Sequence, residues 1–311
     1  MRKFCEILLG YSDRQELKDG GVLGHVNAFY GCVEAQGRGS LHCHMLVWID
    51  GALNCDQIRT KAAIDPDFGK RLITYLDDAL STAVPAGCHD VDVASNKYPP
   101  CSVRAPPRGT LTNEDHQHAI QQDLHRLVKA CQSHDHTATC WKYCRSNGVQ
   151  KVCRFGLSES NTCDHTYFDT ENGDLHLRHL EGMTNTFNTS IIRALRCNMD
   201  IKFLGSGPST KAIIYYITDY ITKSQLKIHV AYAALQVAIN ALEGVDTEQD
   251  NISGRAKKLL QKCAFSMVSR QELSSQQVAS FLRDYDDHFT SHTYRRLYWL
   301  SMEKYLHSID P

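Results

Sequence analysis

The chain has 311 residues, 42% hydrophobic side chains and a formal net charge of −1, which excludes a disordered chain and denies it a long-range positive field. Any grip on nucleic acid would need a local basic face. No run of about 18 apolar residues and no basic-then-apolar leader is seen, and 13 cysteines without an export signal point to thiols and metal ligation rather than disulfides, membrane insertion or secretion.

Residues 1–24 read as a helix with Phe4, Ile7, Leu8 and Leu9 on its apolar side, closed by a polar turn at Asp19-Gly20-Gly21. Gly24 to Phe29 leads into Gly31-Cys-Val-Glu-Ala-Gln-Gly-Arg-Gly-Ser-Leu-His-Cys-His-Met-Leu-Val-Trp48, which reads as a β-hairpin turning through Gly37 to Ser40. Strand side chains at i and i+2 share a face, so His42 and His44 stand side by side. With a loop at residues 37–41, antiparallel pairing sets Glu34 opposite His44 and Gln36 opposite His42. Two imidazoles with an oxygen donor can hold one divalent ion. A one-residue slip would turn Glu34 away, and a bare pair of histidines on a strand also suits a solvated face.

After Gly51 the pattern turns helical over Cys55 to Ala63 and again over Pro66 to Val84, with Leu72, Tyr75, Leu76 and Leu80 inside and Asp77 and Asp78 on the solvated side. Five prolines from Pro85 to Pro107 predict a long surface loop, in which Cys88, His89 and Cys101 make at most half a metal site. Thr112-Asn113-Glu114 opens a helix with Leu124, Leu127 and Val128 as its buried stripe. It runs into a cluster of Cys131, His134, His136, Cys140, Cys144 and Cys153, six soft or borderline ligands within 23 residues. Structural zinc takes four such ligands in a tetrahedron, and would staple a loop-rich insertion with little core of its own.

Residues 160–175 are polar and turn-rich, and Leu175 to Leu180 alternates like a strand with His176 on its wet face. A short helix over Ile191 to Leu195 and a strand over Met199 to Leu204 follow, the strand expected in the central sheet near the histidine pair. Gly205 to Pro208 then turns the chain into Tyr215-Tyr-Ile-Thr-Asp-Tyr-Ile-Thr-Lys223. On a helix, Tyr216, Tyr220 and Lys223 at i, i+4 and i+7 form one stripe. A strand would align the tyrosines but send Lys223 to the other side. The β-branched content favours a strand locally, whereas the Pro208-Ser209 start and the absence of Gly and Pro from Ala212 to Leu242 favour a helix. An aromatic stripe packed in a core would look the same. Lys211, Lys223 and Lys227 add positive charge along this segment.

The remainder reads as helices: Ile228 to Leu242, Ile252 to Met267 with Leu259, Leu260 and Ala264 inside, and Gln276 to Leu282 capped at Ser274 or Ser275. His288 to Tyr305 mixes aromatics with Arg295, Arg296 and Lys304, which suits a helical bundle or stacking and charge against nucleic acid.

Three phrases in this order resemble the HUH endonucleases, and most closely the helicase-like amino-terminal module of Helitron transposons. They are Val33-Glu-Ala-Gln-Gly-Arg-Gly-Ser-Leu-His-Cys-His44, His134-x-His136-Thr-x2-Cys140 with Cys153-Arg-Phe155, and Tyr216-Ile-Thr-Asp-Tyr-Ile-Thr-Lys223. The resemblance implies an α+β fold: an HUH-type central antiparallel sheet flanked by helices, with an inserted zinc-binding subdomain and a helical C-terminal part. The expected divisions are 1–84 and 161–245 for the two halves of the nuclease core, 85–160 for the loop and zinc insertion, and 246–311 for the helical extension.

It also implies Zn²⁺ at His134, His136, Cys140 and Cys153, with Cys131 and Cys144 as alternates. The catalytic Mg²⁺ or Mn²⁺ would lie at His42, His44 and Glu34, with Gln36 as a further candidate. Tyr216 and Tyr220 would nick and rejoin single-stranded DNA through a 5′-phosphotyrosine, assisted by Lys223, in rolling-circle transposition in the nucleus. The alternative is a catalytically idle DNA-binding relic. No Gly-x4-Gly-Lys-Ser/Thr phosphate loop occurs, so the helicase partner expected in a full-length relative has no counterpart here and no ATPase motor is expected. Asp219 places a negative charge between the tyrosines.

Overall fold

Helix α3 (Asn113–Cys131) begins where the Thr112 side chain accepts the Asp115 backbone N–H, and it buries Leu127 and Val128. These two residues, Phe187 and Ile192 form a buried apolar cluster, with Val84, Leu124, Cys131 and Met199 packed around it. The computed structural model describes the chain outside residues 12–19, 36–39, 52, 54, 86–98, 108, 110–111, 143, 145–151, 170–174, 206–210, 213, 219–227, 244–251, 270–273, 296 and 310–311. The architecture is α+β, divided into one unit of Met1–Asn27 with Trp48–Ile213 and another of Ala28–Val47 with Ile214–Pro311.

In the first unit the N-terminal expectation shrinks. A five-residue π-helical turn, Phe4–Leu8, replaces the helix over 1–24, with Cys5 and Leu9 buried and Ile7 exposed. It stops because Gly10 takes a positive φ of 63° and its backbone lies against Gly20 and Gly21, an approach that leaves no room for a Cβ. Helices α1 (Cys55–Ile64) and α2 (Pro66–Ala79) pack together, and the Asp65 side chain caps α2 by accepting the Asp67 and Phe68 N–H groups. α2 ends before Val84 because Ser81 bridges to Phe187 in extended backbone.

Asp77 is not solvated as its position suggested. It accepts a 2.6 Å hydrogen bond from Thr166 Oγ1 and lies 3.7 Å from Arg178 Nε. The short strands β3 (Tyr167–Phe168) and β4 (Leu175–His176) pair antiparallel, with His176 exposed and stacked on Tyr167. Helix α4 (Thr189–Leu195) is capped by the Asn188 side chain and ends at Arg196, whose φ of 55° is left-handed.

The strand expected over Met199 to Leu204 is absent: those residues are irregular and belong to the first unit. The reason is the buried Gln132, whose Oε1 accepts the Met199 N–H at 2.9 Å and whose Nε2 donates to the Met199 carbonyl at 2.8 Å. One side-chain amide therefore satisfies the backbone groups that a sheet ladder would have used.

A buried ion pair braces the same unit. Arg196 Nη1 and Nη2 donate to the two Asp123 carboxylate oxygens at 2.6 and 2.8 Å, while Nε donates to the Pro100 carbonyl. The two-pronged geometry matches the guanidinium fork to the carboxylate.

Strands β1 (Val26–Ala35) and β2 (Leu41–Ile49) are joined through residues 36–40, a connection short enough only for antiparallel neighbours. Their stretch Ala28–Val47 belongs to the second unit. There β1 is central in the order β2-β1-β5, with β5 (His288–Thr290) antiparallel and Cys32 opposite His288, Gly31 opposite Phe289 and Tyr30 opposite Thr290. The sequence placed β5 within a helical tail. Phe29, buried, and Phe289 meet at 6.0 Å between ring centroids.

Helices α5 (Ile228–Glu243) and α6 (Ile252–Ser269) pack on each other, with Ala234, Ala238 and Cys263 buried. Leu260 and Ala264, expected inside, are exposed, because the buried stripe of α6 runs through Cys263 and the partly buried Leu259. Helix α7 (Ser275–Leu282) carries a reciprocal cap between Ser274 and Gln277, and α8 (Trp299–Ile309) closes the chain. No described helix is long and apolar enough to cross a membrane.

Candidate active site and metal-binding group

On β2 the two-residue spacing sets the His42 and His44 rings 4.7 Å apart, nearly perpendicular at 74°. Burial pushes the His42 imidazole below its ordinary range, and the neighbouring His44 adds to this while Glu34 opposes it. Glu34 lies on the adjacent strand, its Oε1 3.2 Å from His44 Nε2, and the His44 side chain is only 11% exposed. Tyr216 of the tyrosine segment joins this group. Residues 211–212 and 214–218 are helical, and the Tyr216 ring meets His44 edge-on with centroids 5.8 Å apart. Tyr216 is 54% exposed.

Glu34, His42, His44 and Tyr216 are therefore side by side within the second unit. The set joins two borderline nitrogen ligands to a hard carboxylate, a mixture that suits Mg²⁺, Mn²⁺ or Zn²⁺. Glu34 Oε1 and His44 Nε2 already lie 3.2 Å apart, although the set does not gather as the histidine–cysteine group does. Gln36, Tyr220 and Lys223, with Lys227 and Asp219, lie outside the described residues.

Among the described residues, His134, His136, Cys140 and Cys153 gather with every ligand atom within 4.8 Å of the others. The chain leaves α3 directly into this loop. The His134 N–H donates to the Met183 carbonyl, and the 3₁₀ turn Ala138–Trp141 presents Cys140. His134 Nε2 lies 3.2 Å from Cys140 Sγ and 3.7 Å from Cys153 Sγ, and both cysteines are buried. Burial alone would raise the Cys140 thiol, but the Thr137 backbone N–H and the His136 and His134 rings hydrogen-bond the sulfur and bring it down to about 6. A thiol so tuned is a ready thiolate ligand, and the group can hold a metal ion.

The alternates fall elsewhere. Cys131 packs against the apolar cluster, where burial drives its thiol up to about 11, and Cys144 Sγ faces the Val152 carbonyl at 3.3 Å. Cys101 is exposed, while Cys88 and His89 lie outside the described residues.

Sequence reasoning missed Tyr30, Cys32 and His288 farther along the sheet face that carries Glu34. Alternation along β1 puts Tyr30 and Cys32 on the face of Glu34, a signal that period two alone offers. His288 joins them through a pairing more than 250 residues away in sequence, which nothing local announces.

A family profile described as the Helitron helicase-like domain at the N-terminus matches residues 2–47, the stretch that contains both β1 and the His42–His44 pair. No curated protein and no solved structure matches the chain. Over residues 2–47, the chain is similar to Helitron helicase-like N-terminal domains.

Proposed function

We propose that the chain is the nuclease part of a Helitron-type transposase, a metal-dependent enzyme that nicks and rejoins single-stranded DNA. The observation that carries this reading is the approach of the exposed Tyr216 phenol to the His44 ring, beside His42 and Glu34. His42, His44 and Glu34 would hold a divalent cation, which when bound would draw charge from a non-bridging phosphate oxygen.

Tyr216 is then the nucleophile. Its oxygen bonds to phosphorus as the bond from phosphorus to the 3′ oxygen breaks, the phenol proton passes to a neighbouring base, and the departing oxygen takes up a proton. The products are a 5′-phosphotyrosine and a free 3′-hydroxyl. Attack by another 3′-hydroxyl on that ester rejoins the strand without ATP. Tyr220 would serve a second transfer and Lys223 would offset developing negative charge. The DNA must arrive unpaired, since a duplex would not offer a bare backbone to a phenol set beside a sheet. No phosphate-loop motif occurs within these 311 residues, so strand separation is not assigned to them. The site of action would be the nucleus.

His134, His136, Cys140 and Cys153 would bind Zn²⁺ in a structural role, because four protein ligands leave no open position for a reacting water.

The test is incubation of the full chain with single-stranded oligonucleotides and Mn²⁺ or Mg²⁺, followed by a denaturing gel. A covalent protein–DNA adduct is expected, absent without metal, lost in Tyr216→Phe/Tyr220→Phe and lost in His42→Ala/His44→Ala. An adduct that survives either double substitution would overturn the reading. Binding without any adduct would select the idle relic.

A further inference from the structure

The face of the second unit's sheet that carries Glu34 continues away from the histidines as an aromatic surface. Along β1, Tyr30, Cys32 and Glu34 alternate onto one side. The pairing of Cys32 with His288 brings the β5 imidazole onto that same side. The Tyr30 and His288 rings lie nearly parallel, 16° apart in plane with centroids separated by 6.3 Å, and Tyr294 stands edge-on to Tyr30 at 6.0 Å.

These rings are not core. The apolar contact of Phe29 with Phe289 lies on the other side of the sheet, whereas the His288 side chain is 51% exposed and Tyr294 is 68% exposed. The His288 ring is fixed in orientation, because its Nδ1 donates to the Asp287 carboxylate at 2.8 Å. Asp284, Asp286 and Asp287 precede His288 and Tyr294 in sequence, and Arg283 and Arg295 flank the segment. The partly buried Tyr30 is covered by the exposed His288 and Tyr294 rings, whose open faces suit a base.

We propose that Tyr30, His288 and Tyr294 form a stacking shelf for unpaired bases of the DNA strand whose phosphate lies at His42, His44 and Tyr216. This rests on the nuclease reading for what the strand is doing there. The shelf itself is a binding site. Glu34 lies four residues from Tyr30 on β1, about 13 Å, so the stacked bases flank the reacting phosphate and do not belong to it. Every base has a π-face, so the shelf is tolerant of sequence.

The experiment uses the full chain without added Mg²⁺ or Mn²⁺, which withholds covalent chemistry and leaves Zn²⁺ in place, with single-stranded oligonucleotides carrying one 2-aminopurine at successive positions. Stacking is expected to quench the fluorophore at one or two adjacent positions and nowhere else. Tyr294→Leu, at an exposed side chain, should abolish that quench and weaken binding about tenfold. Tyr294→Trp should retain both, and an abasic site at the same position should reproduce the loss in the unaltered protein. Wild-type affinity and quench in Tyr294→Leu, or no position-dependent quench in the unaltered chain, would overturn the shelf.

The adduct assay with Mn²⁺ separates the two claims. Quenching without any adduct would sink the nuclease reading and leave the shelf. An adduct formed equally well on abasic and intact flanks, at subsaturating DNA, would sink the shelf and leave the nuclease.

Discussion

The Phe289 ring occupies the space that a side chain at Gly31 would need: a Cβ there would lie 2.1 Å from Phe289 Cζ. Glycine is required on β1 for this close approach alone, not for an unusual backbone angle. The ring that fills the gap pins β5 to β1 from the side opposite Glu34, so a change at Gly31 reaches the candidate site through the sheet. Gly31→Ala should force Phe289 off its seat at a cost of about 1–3 kcal/mol. Phe289→Ala should cost much less in the Gly31→Ala background than in its absence, because both remove the same contact. Denaturant unfolding of the two single variants and the double variant measures this. Full additivity would mean that the ring and the glycine act independently.

Asp123 and Arg196 present a different sensitivity. Both side chains are 8% exposed, and the pair exchanges two charge-assisted hydrogen bonds. Asp123→Ala strands a buried guanidinium and should destabilise the first unit by about 3–5 kcal/mol. Replacing both partners with apolar side chains of similar size, Asp123→Leu/Arg196→Met, should recover most of the loss. Thermal melts of the two proteins decide it, and equal melting temperatures would remove the ion pair from the account.

Glu34 supports His44 through its carboxylate, whether or not it also reaches a metal ion. Glu34→Gln keeps a hydrogen-bond acceptor beside the ring and deletes the charge. The concentration of Mn²⁺ needed for half-maximal adduct should rise roughly 10- to 100-fold, with the maximal yield largely kept. An unchanged metal requirement would show that Glu34 neither binds nor tunes the metal.

The histidine pair and the His134–Cys153 group were legible in the sequence because each is local. Period-two geometry alone puts His42 beside His44, and six ligand-bearing side chains within 23 residues leave few other uses for them. Long-range partners were not legible. Met199-Asp-Ile-Lys-Phe-Leu204 alternates as a strand should, yet Gln132 takes its first backbone groups from 67 residues away. Conversely, His288-Phe-Thr290 is too short and too aromatic to announce a strand, and it becomes one only through β1. Asp77 reads as solvated on the helical wheel of α2 because Thr166 and Arg178 come from a distant segment. The Tyr216–His44 approach was expected from the family resemblance, not from spacing.

Cys131 gives a pH dependence whose sign follows from its surroundings. Burial, then the nearby Cys197 and Cys101, raise its folded thiol from 9.0 to about 11, while Arg196 opposes them. The folded protein thus holds this proton more tightly than the unfolded chain does. The stability it contributes is fully present below pH 9 and is lost as the pH rises through about 11. Wild-type stability should fall across that window, and Cys131→Ala should flatten the fall while lowering stability below it through the lost packing. A parallel fall in both proteins would assign the alkaline loss to other groups.

The histidine–cysteine group makes the sharpest division between residues that look alike in sequence. With Zn²⁺ at His134, His136, Cys140 and Cys153, elemental analysis should find one zinc per chain. Cys140→Ser or Cys153→Ser should remove it, whereas Cys131→Ser and Cys144→Ser should retain it, since the first faces the apolar cluster and the second a backbone carbonyl. Chelation should lower the melting temperature of the unaltered chain and expose the segment after α3 to protease, because the ion would join His134, His136 and Cys140 to Cys153 across that loop. Zinc that survives Cys140→Ser but not Cys144→Ser would transfer the site to the alternate ligand and break the structural assignment.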